Sequence, residues 1–112
     1  MEEFALLFRQ PSASVVPSEK EMQGIMTEWE EWIKGIAAQG KFIPGGRLKH
    51  SGKVLTSGGV VSDGPFVELK EELLGFIIVK AEDEDEATTL AHGCPVLKSN
   101  GSVEIRPIIR SV

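Results

Sequence analysis

Two segments of the chain are apolar at almost every position, and they constrain the fold more than any other feature. They are residues 4–9 (FALLFR) and 73–80 (LLGFIIVK). A strand with one face in water alternates apolar and polar side chains, whereas these strands place apolar side chains on both faces. Phe76, for example, opposes the equally apolar Ile77. The sequence therefore predicts a sheet whose two faces are both covered.

Two helices are predicted from capping signals and apolar periodicity. Ser18 and Glu21 form a capping box, and the helix they begin runs towards a left-handed stop at Gly40. A second, shorter helix begins in an acidic run with Asp83 as its cap, and it ends at Gly93. The apolar face of the first helix consists of Met22, Ile25, Met26, Trp29, Ile33, Ile36 and Ala37.

The remaining segments complete a βαββαβ order. Residues 42–48 read as a bent edge strand because Pro, Gly and Gly interrupt it. Residues 51–52 are predicted to be a hairpin turn, with residues 53–56 as the returning strand. Residues 102–109 form the last strand. The expected fold is a ferredoxin-like α+β domain, an antiparallel sheet with two helices on one face, spanning residues 1–112.

Two helices cover only one face of such a sheet. The first strand nevertheless offers Ala5 and Leu7 to the opposite face. A second copy of the same sheet is the simplest cover for that face. We therefore expect a two-fold homodimer packed sheet to sheet.

Composition excludes several classes of protein. A net charge of −5 over 112 residues does not suit a nucleic-acid binder, which needs a basic face. No apolar run approaches the ~20 residues of a membrane span, and the acidic start is unlike a signal peptide, so a cytoplasmic protein is expected. One cysteine and two histidines provide neither a disulfide framework nor a structural zinc site. No metal or other cofactor is predicted.

Residues 60–75 read VVSDGPFVELKEELLG and contain the most distinctive motif. Turn chemistry explains Asp63, Gly64 and Pro65, since Asp can bond the backbone ahead of it, Gly permits positive φ and Pro fixes φ. A structural turn alone does not require Phe66 or the charged run that follows it.

The motif DGPF with the following VELKEELLGF resembles the YCII-related proteins, and specifically their DGPF-domain branch. Other pieces agree in order: GGRL after the long helix, CP after the short helix and VEIRP near the end. The resemblance covers nearly the whole chain. It implies a dimeric ferredoxin-like αβ barrel, similar in shape to muconolactone isomerase and small monooxygenases.

The same resemblance implies little about chemistry. The family has no settled biochemical activity, although a cleft holding a His–Asp pair has suggested an enzymatic role, and some members accompany extracytoplasmic sigma factors. Asp63 matches the acidic residue of the family motif. The histidine of that pair would fall in the first long helix, where this chain offers Trp29 and no histidine. Dyad catalysis is therefore not carried over to this chain.

Four residues are candidates for a site, and each has a structural alternative. Asp63 is either a general acid or base in a cleft or the cap of its own turn. Arg47 can hold a ligand carboxylate or pair with a motif carboxylate. Phe66 can form a pocket wall or pack in the core or dimer interface, and Trp32 can line a cleft beside the core residue Trp29.

Other reactive residue types are interpreted as structural. The two histidines, His50 and His92, are predicted to be exposed, the latter complementing a helix C-terminus. Cys94 is predicted to be a small buried apolar residue rather than a nucleophile. Arg106 is predicted to be an ion-pair partner.

Three functional hypotheses follow. The first is a small-molecule-binding domain for a polar metabolite, accessory to a regulator. The alternative is a cofactor-free isomerase- or lyase-like enzyme that uses Asp63 in a dimer-associated cleft. The third is a structural interaction protein without a cleft. The missing histidine favours the first hypothesis, and one arginine and one carboxylate can bind a polar metabolite without chemistry on it.

Overall fold

The body of the protein is a four-stranded antiparallel sheet, seen in a computed structural model that describes residues 1–11, 16–64 and 71–110. Six strands, two α-helices and a short 3₁₀ helix occur among these residues. They are β1 (Glu2–Pro11), α1 (Glu19–Ala38), β2 (Phe42–Arg47), β3 (Gly52–Leu55), β4 (Val61–Gly64), β5 (Glu71–Ala81), α2 (Glu84–Ala91), the 3₁₀ helix Pro95–Ser99 and β6 (Ser102–Pro107).

The strand order of the main sheet confirms the ferredoxin-like α+β prediction. The order is β2-β5-β1-β6, and β3 pairs only with β4 in a separate two-stranded sheet. Without that hairpin, the elements follow βαββαβ with the first and third strands at the centre of the sheet. The β3–β4 hairpin is therefore an insertion between the second and third strands of the ferredoxin-like core.

Both helices begin at the predicted caps. The Ser18 side chain accepts a hydrogen bond from the Glu21 backbone N–H, and the Asp83 side chain accepts one from the Glu86 N–H. These bonds satisfy donors that the first turn of a helix leaves without an intrahelical partner. After α1, Gly40 has a φ of +70° and its N–H donates to the Ala37 carbonyl, as expected for a left-handed stop.

The core lies between the sheet and the two helices. Alternate side chains of β1 and β5 are buried on the helical face, and α1 and α2 contribute Ile36, Ala87 and Ala91. On the opposite face, Ala5, Leu7, Phe76 and Ile78 are half-buried. The sheet is thus apolar on both faces, as its sequence predicts. The buried strand residues are Phe4, Leu6, Phe8, Ile77, Val79 and Ala81.

The predicted hairpin turn at residues 51–52 is wrong. The chain does not turn back there, because β2 pairs with β5 and the Leu48 N–H still donates to the Leu74 carbonyl beyond the end of β2. The hairpin closes later. Thr56 donates to the Val60 carbonyl, and Gly59 donates back to the Thr56 carbonyl. The Ser–Gly pair at residues 51–52 predicts a turn from local sequence alone. The path of the chain is instead set by the long-range pairing of β2 with β5.

The bend in β2 is confirmed. The strand lies at the edge of the main sheet, and its register against β5 shifts between Ile43 and Gly46. Pro44, which has no N–H to donate, lies inside that irregularity. In the described part of the chain, no helix has both the length and the apolar run needed to cross a membrane.

Candidate functional site

A cleft of about 1060 Å³ separates the β3–β4 hairpin from one end of the main sheet. We call it the hairpin cleft. Its lining includes Lys49, Lys53 and Leu55 from the hairpin and its approach, and Arg9, Leu73 and Glu104 from the sheet. The volume lies just above the range of about 300–1,000 Å³ that is typical of small-molecule sites. The cleft is therefore large enough for a metabolite, and its lining is both apolar and charged.

The sheet side of the hairpin cleft carries an ion pair. Arg9 Nη1 donates to Glu104 Oε1 at 2.5 Å, and Arg106 Nη1 donates to the other carboxylate oxygen at 3.2 Å. The hydrogen bond from Arg9 lowers the pKa of Glu104 below its usual value, and Arg106 adds to this effect. Arg106 thus has the predicted ion-pair role. Glu104 therefore remains an anion in mildly acidic solution and holds Arg9 in place across two neighbouring strands.

The hairpin side of the cleft carries two lysines, and among the described residues only one of them is paired with a carboxylate. Lys53 Nζ donates to Asp63 Oδ1, its direct neighbour across the hairpin. Lys49 is exposed, and no carboxylate of the described residues pairs with it. An unpaired ammonium at the edge of a cleft is available to the anionic group of a ligand.

Asp63 lies on β4, where its side chain is 89% exposed. Its carboxylate contacts Lys53, which lines the hairpin cleft, but Asp63 is not itself one of the lining residues. Pro65 and Phe66, and with them the turn that Asp63 was expected to cap, lie outside the described residues. The role of Asp63 in a site stays a prediction.

Arg47 and Trp32 lie on different surfaces. Arg47 is exposed at the end of β2, opposite Gly75, and none of the described carboxylates pairs with it. Trp32 lies on α1 and is not brought near the hairpin. Its Nε1–H donates to the Leu90 carbonyl at 2.9 Å, and its ring makes an edge contact with Phe8. The Trp32 side chain therefore connects α1 to α2 by a hydrogen bond and packs against β1.

Trp32 also lines a shallow groove of about 310 Å³ with Glu28 and Lys98. Its partner Trp29 packs edge-on against Phe8, with ring centroids 4.9 Å apart, so Trp29 is a core residue as predicted. Asp63, Arg47 and Trp32, the three predicted site residues that the structure describes, are therefore not gathered in one place.

Sequence reasoning missed the contact between His50 and Glu72. Nδ1 of His50 lies 2.5 Å from Glu72 Oε1. Extending the β2–β5 register, in which Arg47 faces Gly75, places residue 50 opposite residue 72. That register is the signal that would have paired them, but the pairing of β2 with β5 is a long-range contact that the local pattern does not predict. Both His50 and His92, the latter at the end of α2, are exposed, as predicted.

Cys94 is 2% exposed and belongs to the core, as predicted. Burial raises the pKa of its thiol to about 12. The thiolate, which is the nucleophilic form, is therefore absent at neutral pH. Groups of three or more metal-binding side chains are not found in residues 1–11, 16–64 and 71–110.

Comparison with known proteins places the chain in a family. The model of the YCII-related domain matches residues 3–111. An uncharacterized protein of Rhizobium meliloti (strain 1021) is 32% identical over 109 residues, which cover 92% of this chain and 88% of the relative. The match extends over the main sheet, both helices and the hairpin. The chain therefore belongs to the YCII-related family.

Proposed function

We propose that this protein binds a small, polar, anionic metabolite in the hairpin cleft. The observation that supports this is the exposed Lys49, which has no carboxylate partner among the described residues and lines a cleft of metabolite size. Leu55 and Leu73 supply apolar surface beside it. A mostly apolar wall with a few placed charges is typical of small-molecule sites.

In this proposal the domain is accessory to a regulator. Binding without turnover changes the stability of the β3–β4 hairpin, because the ligand contacts both the hairpin and the main sheet. A two-stranded hairpin is marginally stable alone, so a ligand that bridges it to the sheet would order it. A partner that recognises the ordered hairpin would then respond to the metabolite.

The test is a thermal-shift screen of anionic metabolites with the wild-type protein. A ligand at ten times its Kd stabilises by about 1.4 kcal/mol, which raises the Tm by about 5 °C in a domain of this size. Lys49→Gln is expected to weaken binding about tenfold, since it removes a charge-assisted hydrogen bond. Lys34→Gln is the matched control because Lys34 is exposed on α1. Equal ligand shifts in the two variants would contradict the proposal.

The alternative is a cofactor-free isomerase- or lyase-like enzyme that uses Asp63 in a dimer-associated cleft. The screen distinguishes the two functions when Asp63→Asn is included. A ligand that stabilises this variant as much as the wild type places Asp63 outside the site. Turnover of a hit, lost in Asp63→Asn, would favour the enzyme.

We also propose that two copies pack through their open sheet faces. The support is the half-buried apolar row of Ala5, Leu7, Phe76 and Ile78, which lies on the side opposite to α1 and α2. In a two-fold dimer the same row meets itself, so one apolar patch covers another.

Analytical ultracentrifugation at micromolar concentration is expected to show a dimer. Leu7→Glu puts a charge into the proposed interface and should shift the protein to a monomer. Met26→Glu introduces the same charge on α1, away from the open sheet face, where the Met26 side chain is 44% exposed, and should remain dimeric. A wild-type protein that sediments as a stable monomer would overturn the dimer.

A further inference from the structure

The floor of the hairpin cleft is one face of the main sheet. Arg9 pairs in register with Leu73 on β5 and with Ser102 on β6, so these three side chains share a face. Glu71 and Glu104 lie two residues along from Leu73 and Ser102, and they share that face because side chains alternate along a strand. All five residues line the cleft. The floor is therefore the open side of the sheet, away from α1 and α2.

Lys49 extends this floor beyond the edge of β5. The chain stays beside β5 past the end of β2, as the contact of His50 with Glu72 shows. The same register places Lys49 beside Leu73, whose other neighbour is Arg9. Neighbouring strands lie about 4.8 Å apart, so the backbones that carry these two cationic side chains are about 10 Å apart. The apolar side chain of Leu73 lies between them.

The positive charges of the lining are not all cancelled within the protein. Arg9 and Arg106 share the carboxylate of Glu104, so this cluster carries one net positive charge. The bond to Glu104 uses one of the five N–H donors of Arg9. Lys49 is a second positive centre, because no carboxylate of the described residues pairs with it. The cleft thus offers two cationic groups to a ligand.

Glu71 is a negative centre on the same floor. It is half-buried at the start of β5, and no cation in the described part of the chain pairs with it. A partly desolvated charge is stabilised by an opposite charge, so Glu71 favours the cationic group of a ligand. It lies about 7 Å along β5 from Leu73. Lys53 adds no net charge, because Asp63 neutralises it.

We propose that the hairpin cleft binds a small amino dicarboxylate, the class that includes the acidic amino acids. Its two carboxylates pair with Lys49 and with the spare donors of Arg9, and its ammonium pairs with Glu71. Its methylene groups lie over Leu73. The ligand carries one net negative charge, which complements the one net positive charge of the three centres. The inference rests on the proposed function, and it makes Glu71 the residue that selects an amino acid over a plain dicarboxylate.

Glu71 should affect two related ligands in opposite directions. L-Glutamate and glutarate share a carbon chain and both carboxylates, and they differ in the amino group. The carboxylate of Glu71 attracts the ammonium of L-glutamate, whereas it repels glutarate, which has no cation to offer. Removing this charge should therefore weaken the binding of L-glutamate and should not weaken that of glutarate.

The test is isothermal titration calorimetry at low ionic strength, where exposed charges are least screened. Wild-type protein should bind L-glutamate at least tenfold more tightly than glutarate. In Glu71→Gln this ratio should fall to about one, whereas Lys49→Gln should weaken both ligands and keep the preference. Glu30→Gln is the matched control because Glu30 is exposed on α1, on the other side of the sheet, and it should change neither Kd.

L-Glutamine tests the second carboxylate. It has the shape of L-glutamate, but a neutral amide replaces the side-chain carboxylate. Wild-type protein should bind it at least fivefold more weakly than L-glutamate, because it lacks one of the two charge-assisted contacts. Equal affinities for L-glutamine and L-glutamate would overturn the assignment of a dicarboxylate.

The other outcomes separate this inference from the proposed function. If glutarate binds in a Lys49-dependent way and at least as tightly as L-glutamate, the inference is overturned and ligand binding in the cleft stands. A preference for L-glutamate that survives in Glu71→Gln overturns it as well. If none of the three compounds binds, the inference fails for its ligand class, and the screen of anionic metabolites with Lys49→Gln decides the proposed function separately.

Discussion

Replacing Gly45 with alanine is expected to prevent stable folding. A Cβ at this position would lie 2.0 Å from the Phe76 carbonyl oxygen and 2.8 Å from the Phe76 ring. The oxygen belongs to the backbone of β5, so relief of the contact requires β2 to move off the sheet. A loss above about 4 kcal/mol is expected, which is a large part of the total stability of a small domain.

Gly46→Ala is the matched control for this result. It makes the same chemical change in the neighbouring residue of the same bulge, but a Cβ there meets nothing within 4 Å. Its effect should stay within about 1 kcal/mol. Urea denaturation followed by tryptophan fluorescence measures both variants. Similar midpoints for the two would show that the bulge does not hold β2 as close to β5 as the structure has it.

Leu6→Ala is expected to lower the free energy of unfolding by about 3 kcal/mol or more. Leu6 is 0% exposed and lies in the core between β1 and the helices, so its removal leaves a cavity in addition to the lost burial. Leu7→Ala, the next residue, removes the same atoms from the opposite, half-buried face of the sheet. Within one protomer, Leu7→Ala should lower the free energy of unfolding by less than half as much as Leu6→Ala.

Chemical denaturation of the two alanine variants provides the comparison, with far-UV circular dichroism as the signal. The pair tests the assignment of the two faces directly, since only the side of the sheet differs. A Leu7→Ala loss equal to that of Leu6→Ala, persisting where ultracentrifugation shows monomer, would mean that both faces are equally covered within one chain.

The core of the fold was predictable because its signals are local. Ser18 and Asp83 cap their helices as expected, and the apolar strands β1 and β5 lie at the centre of the sheet. The hairpin was misplaced because two polar–glycine turns, at residues 51–52 and 57–59, compete locally. The pairing of β2 with β5, which settles the choice, spans too many residues to be visible in the pattern.

The site was harder to predict for the same reason. The DGPF motif predicts Asp63 as a site residue, whereas in the folded chain its carboxylate is exposed and pairs with Lys53. The contact between His50 and Glu72 connects positions 22 apart and depends on the long-range pairing of β2 with β5. Neither residue stands in a recognisable local pattern, so only the folded sheet brings them together.

The position of β1 between β5 and β6 has a consequence for how the chain folds. Phe4 faces Val79 on one side and Pro107 on the other, partners that lie 75 and 103 positions later (79 − 4 and 107 − 4). Closing loops of this length lowers the conformational entropy of the chain before the strand contacts form. We therefore expect the sheet to fold slowly for a domain of this size. During synthesis the apolar β1 is made long before its partner strands β5 and β6. The element that follows it is α1, whose Trp29 packs on Phe8, so we expect α1 to cover part of this apolar strand before β5 and β6 are made.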